Sequence, residues 1–301
     1  MMGTIRIGTR GSPLALAQAR LVAEALRAAH GWTEEAIEIV PITTSGDVIQ
    51  DRPLAEVGGK ALWTKELDAC LIEGRTDMSV HSMKDVETVR PAGLDIAAVL
   101  QRVDTSDRLI GADSLAALPA GARVGTSSPR RTAQLLARRR DLQAVPIRGN
   151  VETRLAKVGR GEVDATILAG AGLARLGIDA GVALDWVTAP GQGAIGVDIL
   201  WAREDVRQLV DAIDHRPSHG CVRAERLFLQ ALGGDCRSAV AASAGHGGGV
   251  IWMIAEILSP DGREVHRMEM DLYGEDLATP PDLARALLDE ASPALRAMFG
   301  R

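Results

Sequence analysis

Apolar positions fall on alternate residues or in short unbroken runs over TIRIGT (4–9), IEIVPITT (37–44) and DMSVHS (77–82), which predicts a strand in each. Between them the spacing changes to three and four. SPLALAQARLVAEALRAA (12–29) reads as a helix with Ser12 at the N-cap and Pro13 in the first turn, and TKELDACLIEG (64–74) as another. Alternating strand and helix is the grammar of an α/β layer. It then repeats: VGTSSPRRTAQLLARRR (124–140) echoes IGTRGSPLALAQARLVAEAL (7–26), and GEVDATILA (161–169) echoes GRTDMSVHS (74–82) in the same order. Two similar α/β halves are expected. PGQGAIGVDIL (190–200) adds an apolar strand behind a glycine-rich entry, where the chain could cross back from the second half to the first. Beyond Pro217, a helix over 219–232, strands over 239–244, 250–258 and 264–272, and a final helix over 280–298 predict a small α+β domain. The expected partition is therefore 1–100 with 195–216, then 101–194, then 217–301.

The 301 residues are 46% hydrophobic and 25% charged, which suits a folded chain of two or three domains. No apolar run approaches the ~18 residues of a membrane span, and the start lacks the basic and apolar regions of a secretory signal. A cytoplasmic protein without a membrane partner is expected. A net charge of −6 with 3% aromatic residues argues against nucleic-acid binding by a basic, stacking face. Only four of the 34 basic residues are lysines, so arginine carries nearly all positive charge.

Cys70, Cys221 and Cys236 are too few and too scattered for a disulfide framework, and no Cys-x-x-Cys pair is present. Cys70 falls on the apolar stripe of its helix and is expected in the core; Cys221, in a first helical turn, is either buried or activated. Cys236 lies in the loop GGDCRS beside Arg237, where a thiol could be presented. His215 and His219 are four apart near Cys221, but Pro217 is expected to interrupt the helix that would align them, so no metal site is expected. GNVETRLAKVGRG fits neither a phosphate-binding loop nor a dinucleotide turn.

Three strand-to-helix junctions carry arginine: Arg10 beside Ser12, Arg130 and Arg131 behind Ser127-Ser128-Pro129, and Arg148 and Arg154 around Asn150. Helix starts offer unpaired N–H groups and a positive dipole end, so an arginine there can build a carboxylate or phosphate clamp. The plainer alternative at each is a capped helix with a solvated arginine. Three together suit a ligand with several anionic groups. HSMKDVE (81–87) sets His81, Lys84 and Asp85 at a strand carboxyl end, where open α/β sheets place ligands. Asp85 is either a turn carboxylate paired to Lys84 or, in a cleft, a group that protonates a leaving amine or faces a developing cation.

TRGSPLALAQA, TTSGD, GGKALWTKEL, HSMKDV, GTSSPRR, IRGNVETRL, DATILAGAGLARLG, PGQGAIG and GGDCR, in this order along the whole chain, resemble the porphobilinogen deaminase (hydroxymethylbilane synthase) family. The resemblance implies two type II periplasmic-binding-protein-like α/β domains plus a small α+β C-terminal domain. It implies a dipyrromethane cofactor joined by a thioether to the loop cysteine, here Cys236. The implied reaction condenses four porphobilinogen molecules head to tail with loss of four ammonias, after which water releases hydroxymethylbilane for tetrapyrrole synthesis. Asp85 takes the place of the catalytic aspartate. Arg10, Ser12, Lys84, Ser128, Arg130, Arg131, Arg148, Arg154 and Arg175 fall on positions that bind cofactor or substrate. A monomer acting on a small molecule is implied. Glu87 departs from the proline that usually follows HSMKDV, Trp63 from a common phenylalanine, Asp235 from the usual residue before the cysteine, and GGDCRSAVAA lacks a later proline. These departures put loop rigidity in question. The rival reading is a two-lobed binding protein that clamps an anionic metabolite without chemistry; Cys236, Asp85 and the third domain speak against it, and an arginine-rich RNA module is a distant third.

Overall fold

Serine and proline start the first helix. In the computed structural model, which describes residues 4–48, 63–234, 238–273 and 279–300, strand β1 (Ile5–Arg10) ends two residues before helix α1 (Pro13–His30). Ser12 accepts a hydrogen bond from the Ala15 N–H, and Pro13 occupies a position whose N–H would be unbonded anyway. Gly31, at φ 66, closes the helix in the left-handed region. β2 (Ile37–Ile42), α2 (Ser45–Val48), α3 (Lys65–Ile72), β3 (Met78–Ser82) and β4 (Leu94–Val99) follow. Then come β5 (Asp107–Ile110), β6 (Arg123–Gly125), α4 (Pro129–Arg138), β7 (Gln143–Val145), α5 (Val151–Gly159), β8 (Ala165–Ala169), α6 (Gly170–Arg175) and β9 (Val182–Leu184). The chain continues through β10 (Ile195–Leu200), α7 (Glu204–Asp211), α8 (Arg216–Leu232), β11 (Val240–Gly247), β12 (Val250–Leu258), β13 (Val265–Tyr273), α9 (Thr279–Glu290) and α10 (Pro293–Ala297).

The first compact unit takes in Met1–Val103 and Ala194–His219. Its sheet runs β2-β1-β3-β10-β4; β1 is parallel to β2 and β3, and β10 is antiparallel to β3 and β4. The PGQGAIGVDIL strand thus does return to the sheet of the first half. One face of α1 lies on this sheet through Ala19, Val22, Ala23 and Leu26, spaced by three and four and joined to Ile7, Val80 and Val197 in one core. β3 sits between β1 and β10, and four of its five residues are buried.

The second unit takes in Asp104–Gly193 and Gly220–Arg301. Its larger sheet runs β7-β6-β8-β5-β9, with β6 parallel to β7 and β8 and with β5 antiparallel to β8 and β9. Order and direction repeat those of the first unit. The sequence echoes coincide with equivalent elements, β1–α1 with β6–α4 and β3 with β8. In each sheet the antiparallel strand is the one that the chain reaches after leaving the other half. The C-terminal part is an antiparallel meander, β11-β12-β13, whose core gathers Phe228 and Leu232 of α8, Met253 of β12, and Leu283 and Leu287 of α9.

Two expectations need correction. The final helix is two helices, because Pro293 has no N–H to continue α9, and Ser292 instead caps α10 by accepting from the Leu295 N–H. Pro217 does not interrupt a helix; it stands in the first turn of α8, where a missing N–H costs nothing.

The larger sheet of the second unit is built around one carboxylate. Asp107 of β5 is fully buried and accepts from Arg130 Nη1 (2.8 Å), Arg131 Nη2 (2.6 Å), Trp186 Nε1 (2.8 Å) and Gln192 Nε2 (2.8 Å). Burial alone would push its carboxyl up, but Arg130 and Arg131 hold it well below the usual carboxylate range. Asp107→Ala leaves two buried guanidinium groups without their anion and is expected to cost about 3–5 kcal/mol, on the order of 10 °C in Tm. Arg160→Ala, which removes an exposed pair with Glu162 at 2.7 Å, is expected to cost less than about 1 kcal/mol. Thermal and urea unfolding of the two variants checks the contrast, and equal losses would contradict it.

Candidate active site

Parallel strands β1 and β3 end side by side, so the residues that follow them meet in one pocket of the first unit. Arg10, Ser12, Gln18, Trp63, Ser82 and Asp85 are among the residues that line it. The Arg10 guanidinium lies over the Trp63 ring, 3.9 Å from its centroid, which fixes its plane. Trp63, a departure from the family pattern, thereby becomes the support of Arg10. Gln18 is buried on α1 and donates to Ser82 Oγ at 2.7 Å, tying the end of β3 to the helix. Asp85 completes a single 3₁₀ turn, Met83–Asp85, and is exposed to the pocket, with Lys84 half-buried beside it. The turn is held at its start by the Met83 N–H on Ala194 O (3.1 Å) and by the buried Met83 side chain.

Beneath this turn lies a cluster of buried charges. Asp198 of β10 stands opposite Ser79, and Gly196 opposite His81, so the Asp198 and His81 side chains share one face of the sheet as diagonal neighbours. Their Oδ2 and Nε2 atoms are 3.5 Å apart. Arg90 Nη2 contacts Asp198 Oδ2 at 2.6 Å and Asp68 Oδ1 at 2.5 Å, and Arg90 Nη1 contacts Glu87 Oε2 at 2.8 Å. Burial and then the Arg90 cation push the His81 ring down to about 4, so it is neutral at physiological pH. Glu87, the second departure, raises the question of loop rigidity: it accepts from Thr64 Oγ1 at 2.8 Å while paired to Arg90, so ion pairing takes over the stiffening that a proline would supply. The sequence gives no role to Arg90, Asp68, Gln18 or Asp198. Asp198 alone carried a signal, a carboxylate inside the apolar strand IGVDIL, which demands a buried cation.

The remaining candidates belong to the second unit. Ser128 caps α4 by accepting from the Arg131 N–H, and Asn150 caps α5 by accepting from the Thr153 N–H. Arg130 and Arg131 are turned inward, 3% and 6% exposed, onto Asp107, where the sequence leads one to expect outward clamps. The reason is the antiparallel strand β5, which inserts a carboxylate under the start of α4. Arg148 and Arg154 are half-buried about the α5 start, and Arg154 Nε donates to Gly149 O at 2.9 Å. Gly149 is required there: its φ is 112, and a Cβ would strike the Thr153 side chain. Arg175, at the end of α6, donates from Nη2 to Gly193 O at 2.6 Å, while its Nε is buried without a hydrogen-bond partner. Burial presses its pKa down to about 10. Among the described residues no carboxylate offsets this cation.

The Cys70 and Cys221 thiols are both 1% exposed. Cys70 is in the core as expected, and of the two readings of Cys221 burial is the one realised. Cys236 and Asp235 lie outside the described residues. His215 Nδ1 faces Ser218 Oγ at 2.8 Å and His219 Nδ1 faces Asp214 Oδ1 at 2.8 Å, and among the described residues no three metal-ligating side chains converge.

Solved structures similar to this chain include the periplasmic VFT2 domain of Bordetella pertussis BvgS, at 14% identity and a TM-score of 0.41 over 70% of this chain and 86% of that one. The methionine-binding protein MetQ is similar at 13% identity and a TM-score of 0.44, over 70% of this chain and 89% of that one. Far closer in sequence is the porphobilinogen deaminase of Sphingopyxis alaskensis (strain DSM 13593 / LMG 18877 / RB2256), 51% identical over 98% of this chain and 96% of that protein. The family model for the porphobilinogen deaminase dipyromethane cofactor binding domain matches residues 5–208, and that for the porphobilinogen deaminase C-terminal domain matches residues 220–291. With both parts of the pattern matched in order, the chain belongs to the porphobilinogen deaminase family.

Proposed function

We propose that this protein condenses four porphobilinogen molecules head to tail, releasing ammonia, to give hydroxymethylbilane. The observation that carries the reading, beside family membership, is Arg175: a half-buried guanidinium with a buried, orphaned Nε and no carboxylate to offset it among the described residues. Such a group is costly unless an anion arrives. Each pyrrole of the substrate and of a dipyrromethane cofactor brings an acetate and a propionate, so the donor set fits both. Membership in an enzyme family displaces the alternative of a pure binding protein.

A dipyrromethane cofactor, held by a thioether at Cys236, would supply a nucleophilic pyrrole carbon. The chain's own residues bind, orient and neutralise. Arg10, held flat on Trp63, takes a carboxylate beside Ser12 and Lys84. Arg175, Arg148 and Arg154 take others. Arg130, Arg131 and Ser128 support the start of α4 and contribute positive charge there, although Asp107 already holds the two guanidinium groups. Asp85 Oδ atoms accept a pyrrole N–H, assist the departing amine with a proton, and face the cation that forms on the substrate as ammonia leaves. At ~4 Å and an effective dielectric of ~20 that attraction is about 4 kcal/mol.

Three domains, 1–100 with 195–216, 101–194 and 217–301, are our reading of the division of labour, the last bearing Cys236. Among the described residues no helix is long and apolar enough to cross a membrane. We read the protein as a cytoplasmic monomer whose partner is its small substrate, without nucleic acid or membrane.

Asp85→Asn keeps the side chain's size but removes its charge and its proton relay. Turnover by cofactor-loaded protein is expected to fall at least ~10²-fold at nearly unchanged Tm. Hydroxymethylbilane, trapped as uroporphyrin after acid cyclisation, is the product to measure; near-normal turnover would remove Asp85 from the chemistry.

Arg175→Met separates binding from folding. It should slow assembly by about 10- to 100-fold, the scale of a lost charge-assisted hydrogen bond, yet leave the cofactor-free protein as stable as the parent or more so. A clear drop in the Tm of cofactor-free protein would instead mark Arg175 as a structural residue.

Cys236→Ala should fold without retaining pyrrole, whereas Cys70→Ala and Cys221→Ser, which alter core thiols, should retain it. Intact mass decides: the Cys236 variant must lack the two pyrrole units that the other two keep.

A further inference from the structure

A three-residue turn does not fix a catalytic carboxylate by itself. Within the turn that carries Asp85, the Val86 N–H reaches Met83 O at 3.3 Å, and its entry is anchored by Met83. The exit is anchored by Arg90, five residues beyond Asp85 and itself almost wholly buried. Its guanidinium gathers Asp68 from α3, Asp198 from β10 and Glu87 from the loop itself. Glu87 in turn accepts from Thr64, and Thr64 follows Trp63, on whose ring Arg10 lies. One continuous set of contacts therefore joins the Asp85 turn to the support of Arg10, two pocket residues carried by separate segments. A cluster present only for stability would be replaceable by apolar packing at little or no loss. This one spans both sides of the pocket.

We propose that Arg90, acting through Glu87, is a positioning residue: it holds the Asp85 turn and the Trp63–Thr64 segment in fixed relation, so that Asp85 and Arg10 address the same substrate. The inference rests on the reading of Asp85 given above. Misplacement of a reacting group by about 1 Å can cost ~10²-fold in rate, so the effect belongs in turnover and not only in folding.

The cluster also predicts a change in pH response. His81 is faced by Asp198 from β10, Asp68 from α3, and Arg90, Glu87 and Asp85 from its own connection. With its pKa held near 4, below the unfolded value near 6.5, His81 is neutral in the native protein and its burial weighs against folding only as pH falls below about 6.5. Taking away Arg90 leaves the ring among carboxylates, so its pKa rises. The loss of stability that sets in below about 6.5 shrinks accordingly, because the folded value lies closer to the unfolded one.

The test uses full-length, cofactor-loaded Arg90→Met, Arg90→Lys and Glu87→Gln, with steady-state kinetics on porphobilinogen, melting curves and NMR titration of the His81 ring. For Arg90→Met, kcat is expected to fall about 10- to 100-fold with KM changed less than about threefold, and His81 to titrate at a higher pH than in the parent. Arg90→Lys should recover part of kcat, and Glu87→Gln should show a smaller loss of the same kind. Combined with Asp85→Asn, Arg90→Met should add little, because it acts through that carboxylate. Unchanged kcat per folded molecule in Arg90→Met and Glu87→Gln, with only a lower Tm, overturns the proposal. If Arg90→Met does not fold, Glu87→Gln, which removes one peripheral charge, decides by the same kinetic criterion. Asp85→Asn run in parallel separates the two claims: normal turnover there sinks the catalytic reading, whereas a crippled Asp85→Asn beside normal Arg90 and Glu87 variants sinks only the positioning role.

Discussion

Charge removed from water must find an opposite charge, and the arrangement of this protein follows from where that requirement is met and where it is left open. In the first unit one guanidinium, Arg90, is surrounded by Asp68, Asp198 and Glu87. In the second unit one carboxylate, Asp107, is surrounded by Arg130 and Arg131. The central strand of each cluster is the antiparallel one, β10 or β5, contributed after the chain has visited the other half. Each cluster therefore ties a late-arriving strand to elements already in place. Arg175 is the exception, half-buried with no such partner among the described residues.

The helix starts spend their donors in a way that their dipoles alone do not suggest. Ser12, Ser128 and Asn150 spend their side-chain oxygens on the N–H groups of Ala15, Arg131 and Thr153. Those caps rigidify the junctions but use some of the donors that a ligand could otherwise reach. The candidate arginine side chains are held by their surroundings: Arg10 by the Trp63 ring, Arg154 by Gly149 O, Arg175 by Gly193 O. A side chain fixed in this way loses less conformational entropy on engaging a partner than a free one does.

The duplicated sheet explains why the candidate site gathers at strand ends. β1 and β3, like β6 and β8, are parallel neighbours, so their carboxyl ends and the helices that follow open on the same edge. Asp85 follows β3, and Arg10 ends β1. The irregular register of β10 against β4 falls between Val197 and Asp198, beside the carboxylate that anchors Arg90, and a local shift of this kind re-aims a side chain at the edge of a site.

Sequence alone determined the local layer of this protein. Strand periodicity, Ser-Pro helix starts, the Gly-Thr turns and the echo between 7–26 and 124–140 depend on interactions within a few residues, so they can be read in order along the chain. The motif order also carried the family and its reaction. Tertiary structure decided which charges are solvated and which are paired. Arg90 and Asp198 are ordinary letters in VRP and GVDIL until β10 folds back between β3 and β4, and Arg130 and Arg131 look like surface clamps until β5 brings Asp107 beneath them. The reason is range: capping and propensity act over about one helical turn, whereas the partner of a buried charge is set by the path of the whole chain.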